Sequence, residues 1–242
     1  MKPTSYTAGL SLSAEVPTLL RGNATAARVA IGQLDSRRWL LHLAIIGAGA
    51  GLFGAAVGCW RDPMQAFYTA IKLPLILILT SLGNGLLNAM LAPLLGINLS
   101  LRQSMLAVLM SFTIAATILG AFSPLLCFLI WNTPPLAAGA GTNASAHSIV
   151  LLCETAMIAF AGIAANVRLL KLLRELSGSA VAARKVLFAW LAGNLLLGSQ
   201  LAWIMRPFVG SPGLPVQFLR GNPFEGSFYE AIFHAFRHLL FP

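Results

Sequence analysis

The 242-residue chain is 57% hydrophobic and only 10% charged, with a mean hydropathy of +0.80. A soluble domain carries about 25% charged residues, so a water-facing surface cannot be built from this sequence and much of it must face lipid. The net charge of +9 and pI near 10.4 do not indicate nucleic acid, because no basic patch is interleaved with aromatics; basic residues also gather in cytoplasmic loops and against anionic headgroups.

The first strongly apolar run begins near Trp39, behind a mixed polar segment. That is too late, and followed by too many further runs, for a cleaved signal peptide. About 20 apolar residues cross a bilayer as a helix, and five stretches qualify: Trp39–Trp60, Leu73–Leu95, Ser104–Trp131, Ser148–Val167 and Val186–Met205. The predicted fold is an all-α polytopic bundle. The third span is longer than needed, and Pro124 should kink it. The short, fairly apolar linker Pro93–Arg102 leaves the count between four and six. Three segments frame the fold: 1–38 at the N-terminus, 39–206 as the bundle, and 207–242 beyond it.

Charge sets the direction of threading. With a cytoplasmic N-terminus, 11 of the 16 Lys and Arg fall on the cytoplasmic side and 5 on the other. The segment Asn132–His147, then outside, has no Lys, Arg, Asp or Glu. The expected location is a bacterial cytoplasmic (inner) membrane, with the C-terminus outside.

In the first span Gly47, Gly51, Gly54 and Gly58 share one helix face in a small-xxx-small pattern, which lets another helix approach closely. The partner is either a helix of the same chain or a second copy. In the second span Thr80, Asn84 and Asn88, at i, i+4 and i+8, form a polar stripe that must meet protein or water. It is either a substrate or ion path, or hydrogen bonding between helices, with Asn194 or Gln200 of the fifth span as partner.

Glu154 is the sole acidic residue inside a span. Lys72 and Arg206 lie at similar depth, so a Glu154–Lys72 or Glu154–Arg206 pair would neutralise it; the alternative is a protonatable carboxyl in an access path. Cys59, Cys127 and Cys153 form no CxxC pair, which indicates neither a zinc site nor a disulfide framework.

Between Arg206 and Phe224, four prolines and three glycines forbid regular structure. Phe208, Val209, Leu214, Val216, Phe218 and Leu219 suggest a loop laid over the outer face of the bundle or against a partner. Phe224–Phe241 then reads as an amphipathic helix with Phe228, Tyr229, Ile232, Phe233, Phe236, Leu239 and Leu240 on one face. That face suits the membrane interface or a partner subunit. Glu230, His234 and His238 have the spacing of a metal site but lack further ligands, so no metal or cofactor is expected. Asn143-Ala-Ser has the form of a glycosylation acceptor. No Walker loop, His-Glu-x-x-His, Gly-x-Ser-x-Gly motif or intramembrane protease dyad is present.

The segment Pro63-Met-Gln-Ala-Phe-Tyr-Thr-Ala-Ile-Lys-Leu-Pro-Leu, feeding the second span and followed by two long apolar spans, resembles the Yip1-type membrane-protein family over about residues 39–206. The resemblance implies five spans, a cytoplasmic N-terminus, no enzyme activity and, for the eukaryotic members, a tie to vesicle traffic. It assigns no functional residue. The sequence thus points to a non-enzymatic membrane protein that assembles with itself or with other chains. The alternative is a channel or transporter subunit using Thr80, Asn84, Asn88 and Glu154.

Overall fold

A computed structural model of the chain describes residues 12–33, 35–134, 144–209 and 215–230. Among the described residues seven α-helices follow one another, α1 Leu12–Leu20, α2 Ala24–Gly32, α3 Ser36–Cys59, α4 Pro63–Leu94, α5 Leu101–Trp131, α6 Ala144–Ser177 and α7 Ala180–Met205, and residues 228–230 are helical as well. No strand occurs among the described residues. Five of the helices, α3 to α7, are long and apolar enough to span a membrane, so the chain is a multi-pass membrane protein.

Side chains close the helix starts. Asp35 accepts from the Arg37 N–H, Asp62 from the Met64 N–H just ahead of Pro63, and Ser179 from the Ala182 N–H. Ser100 and Gln103 make a reciprocal capping box at α5. The turn between α6 and α7 runs through Gly178 at φ +63°, a left-handed conformation that glycine adopts at no steric cost.

Two spans are longer than the apolar runs suggest. Helix α4 starts at Pro63, ten residues before Leu73, and α6 continues past Val167 to Ser177. At 1.5 Å per residue the 32 residues of α4 extend roughly 48 Å, well beyond the hydrocarbon layer. Hydropathy marks where a helix lies in lipid. Capping marks where it ends. Helix α5 passes Pro124 without a break.

The N-terminal segment is part of the fold. Helices α1 and α2 lie against α5 and α6, with Leu19, Ala27, Ala30 and Ile31 buried in one cluster with Leu106, Leu169, Leu173, Val186 and Trp190. Arg168 Nε donates to the Leu20 carbonyl at 2.8 Å, and an Arg28 nitrogen to the Glu175 carbonyl at 3.2 Å. The basic extension of α6 is therefore the seat of the N-terminal helices. At the opposite end Phe53, Val57, Trp60, Leu126, Ile130 and Val209 form a second cluster.

Candidate functional site

Glycine sets the spacing of the core helices. A Cβ on Gly54 would fall on the Thr69 carbonyl, and one on Gly58 would lie 2.6 Å from Ala66 Cα, both in α4. Gly51 has the Ala70 carbonyl at 3.4 Å, whereas Gly47 has nothing within 4 Å. Three members of the glycine face thus meet α4 of the same chain, and Gly47 does not. A crossing that the pattern missed joins α3 to α5: Gly49 lies on the Ala116 carbonyl, and a Cβ on Gly120 would come within 2.9 Å of Gly49 Cα.

The polar stripe of α4 is hydrogen-bonded to α7. Asn84 Nδ2 donates to Asn194 Oδ1 at 2.5 Å and to the Trp190 carbonyl at 3.1 Å, and Asn88 Nδ2 donates to Asn84 Oδ1 at 2.9 Å. Gly193 leaves room for the Asn84 amide. Of the two partners suggested for the stripe, Asn194 takes part; Gln200 instead accepts from the Phe228 N–H at 3.4 Å. Thr80 Oγ1 is buried without a hydrogen-bond partner.

A clamp closes the end of the bundle near the C-terminal segment. Gln65, Thr69 and Lys72 stand one turn apart on α4 and are fully or almost fully buried. Lys72 Nζ donates to the Pro207 carbonyl at 2.7 Å, Gln65 Nε2 to the Phe208 carbonyl at 2.6 Å, and Thr69 Oγ1 to the same carbonyl at 2.9 Å. The Lys72 ammonium lies 6.0, 5.9 and 5.0 Å from the ring centres of Tyr68, Phe208 and Phe218. The described part of the segment after α7 is therefore laid over the bundle end as its apolar residues suggested, with Phe208 and Phe218 forming walls around the ammonium, while Leu214 lies outside the described residues.

Lys72 is thus occupied, and neither the Glu154–Lys72 nor the Glu154–Arg206 pair forms: among the described residues the only ion pairs involve Glu15. A carbonyl and three rings satisfy Lys72 in place of a carboxylate. Glu154 is 6% exposed, and its Oε1 has no partner. Arg206 lies flat on Trp203, its Cζ 3.3 Å from the ring centre, while its buried Nε is also unpartnered. Burial, and then the like charge of Arg220, hold the Arg206 guanidinium below its ordinary value. Glu154 and Arg206 face one cavity of about 770 Å³ between α6, α7 and the C-terminal segment.

A second polar cluster was missed by the sequence reading. Glu15 of α1 enters the bundle at zero exposure, its Oε2 2.5 Å from Arg38 and its Oε1 3.2 Å from His42 Nε2. His42 Nδ1 is 3.0 Å from the Thr113 hydroxyl, and Gln33 Oε1 accepts from Arg38 at 2.5 Å. His42 thus bridges Glu15 of α1 to Thr113 of α5. The i, i+4 spacing of Arg38 and His42 on α3 was the available hint. Their common acid lies more than 20 residues away in an apolar stretch, which sequence spacing does not reveal.

Phe228 is half-buried and Tyr229 is exposed; Tyr229 Oη is 2.8 Å from Ser199 Oγ on α7. Ile232, Phe233, Phe236, Leu239 and Leu240 lie outside the described residues, as do His234, His238 and Asn143. No group of three or more metal-binding side chains gathers among the described residues. Compared with protein-family models, with curated proteins and with solved structures, the chain shows no match.

Proposed function

We propose that this integral membrane protein is non-enzymatic and acts as an assembly or accessory subunit, with the α6–α7 hairpin as its docking element. The observation that carries this reading is the uneven packing of the five spans. Between 39% and 50% of the residues in the most apolar stretch of α3, α4 and α5 are buried, against 22% in α6 and 17% in α7. Beyond Trp190, α7 has no buried residue, and Phe160, Ile163, Phe188 and Leu195 are all more than half exposed. Between membrane helices, association depends on packing and hydrogen bonds, so an aromatic-bearing hairpin attached to a tight three-helix core offers a surface for another chain. The Yip1-type likeness over about residues 39–206 and a bacterial cytoplasmic membrane location belong to the same proposal.

The test is the native mass of the particle extracted in mild detergent, with photo-crosslinking from Phe160 and Phe188. Assembly predicts a particle larger than one 25.6 kDa chain plus its detergent, and crosslinks to a second polypeptide at both positions. A single-chain particle without crosslinks overturns it. A channel or transporter subunit is the second reading, favoured by the unpartnered Glu154 in its cavity. Its Asn84 and Asn88 limb is weakened, because those amides are spent on α7. If alanine at Asn84, Asn88 and Glu154 preserves folding and abolishes solute flux in liposomes, the second reading replaces the first.

A further inference from the structure

The cavity at the Glu154 end continues into the bundle. A second cavity of about 420 Å³, floored by α4 and α5, shares Ile76, Leu77 and Ile158 with the first. Its walls are again α6 and α7, lined by residues such as Ala161, Leu191 and Leu195, with Asn194 and the unpartnered Thr80 hydroxyl beside them. Together they form a groove between the two least-packed helices, mainly apolar along its length and charged at one end.

The polar end carries both signs of charge. On the α6 wall stands Glu154, buried, with Oε1 unsatisfied. At the α7 wall stand Arg206, with Nε unsatisfied, and Arg220 on the exposed rim. A buried carboxylate or guanidinium atom without a partner is costly. Here the acid and the base line one cavity without pairing with each other. An anionic headgroup alone would satisfy the guanidinium groups and leave Glu154 opposed. A cation alone would do the reverse.

We propose that this groove binds a phospholipid whose headgroup carries both a phosphate and a primary ammonium, a phosphoethanolamine lipid of the surrounding leaflet. The phosphate sits on Arg206 and Arg220, where guanidinium groups supply directed N–H donors to its oxygens. The ammonium donates to Glu154, and the acyl chains run along the apolar groove between α6 and α7. Pockets of several hundred cubic ångströms lined by apolar side chains with a few converging polar groups are the usual form of such sites. The site is independent of the assembly reading: a single-chain particle can hold the lipid, and an assembled one can lack it.

The experiment is native mass spectrometry of the full chain released from detergent, with phosphatidylethanolamine, phosphatidylcholine and phosphatidylglycerol of matched acyl chains offered in turn. Phosphatidylcholine keeps the charges but has no ammonium N–H to donate; phosphatidylglycerol keeps the phosphate and lacks the ammonium. Wild type is expected to retain phosphatidylethanolamine about tenfold better than either, the worth of one charge-assisted hydrogen bond. Glu154→Gln should erase that preference while leaving the other two lipids unchanged. The double substitution Arg206→Gln/Arg220→Gln should weaken phosphatidylethanolamine and phosphatidylglycerol alike, and Ile158→Trp, which fills the groove, should release all three. Equal retention of phosphatidylcholine and phosphatidylethanolamine by wild type, which needs no variant to fold, overturns the proposal. So does a preference that survives Glu154→Gln, or a stronger hold on phosphatidylglycerol.

Discussion

Glu15 shows what a single residue does in this protein. It brings a carboxylate into the bundle from a helix outside the five spans, and there it meets Arg38 and His42. Removing one member of a buried ion pair leaves the other charge uncompensated and costs about 3–5 kcal/mol, whereas replacing both with apolar groups can be neutral. Glu15→Ala should therefore lower stability by about that amount, with Arg38→Met comparably harmful. The double substitution should be markedly less destabilised than the sum, as read by denaturation in mild detergent. Additive losses would show that the pair contributes no coupling. Little of this was legible in the sequence, where Glu15 is one acid in a mostly apolar stretch and the partners are set by how α1 folds back.

At the scale of elements, the glycine face of α3 separates what pattern can and cannot say. The spacing correctly marks a face of small residues, but it ranks all four alike. The structure does not. Gly58 lies against the backbone of Gln65 and Ala66, which cannot yield as a flexible side chain does, while Gly47 has open space. Gly58→Ala should cost about 1–3 kcal/mol, the range for overpacking, and Gly47→Ala should stay within about 0.5 kcal/mol. Thermal unfolding of the two variants in the same detergent checks this, and equal effects would contradict the α3–α4 packing. The polar stripe was similarly legible as a stripe. Hydrogen bonding to Asn194 or Gln200 was one of its two expected uses, and the structure selects Asn194, more than a hundred residues away, as the partner of Asn84.

For the whole molecule, the basic residues of the N-terminal helices and of the α6 extension share one end, and the clamp formed by Lys72 holds the C-terminal segment at the other. The charge asymmetry then predicts the basic end inside the cell. A phosphatase fused after Pro242 should be active and a fluorescent protein there dark; a cytosolic signal alone would reverse the threading. The all-helical architecture was set by the sequence alone, because in hydrocarbon a backbone must satisfy its own hydrogen bonds and an apolar run of sufficient length has little choice but a helix; the structure then narrowed a count of four to six spans to five helices long and apolar enough to cross. Which charges meet was decided only by the tertiary structure. Glu154 faces a cavity instead of Lys72, Lys72 finds a carbonyl and three rings, and Glu15 finds Arg38. In each case the partner is chosen by helix rotation and chain return, which depend on packing between distant segments and leave no trace in local spacing.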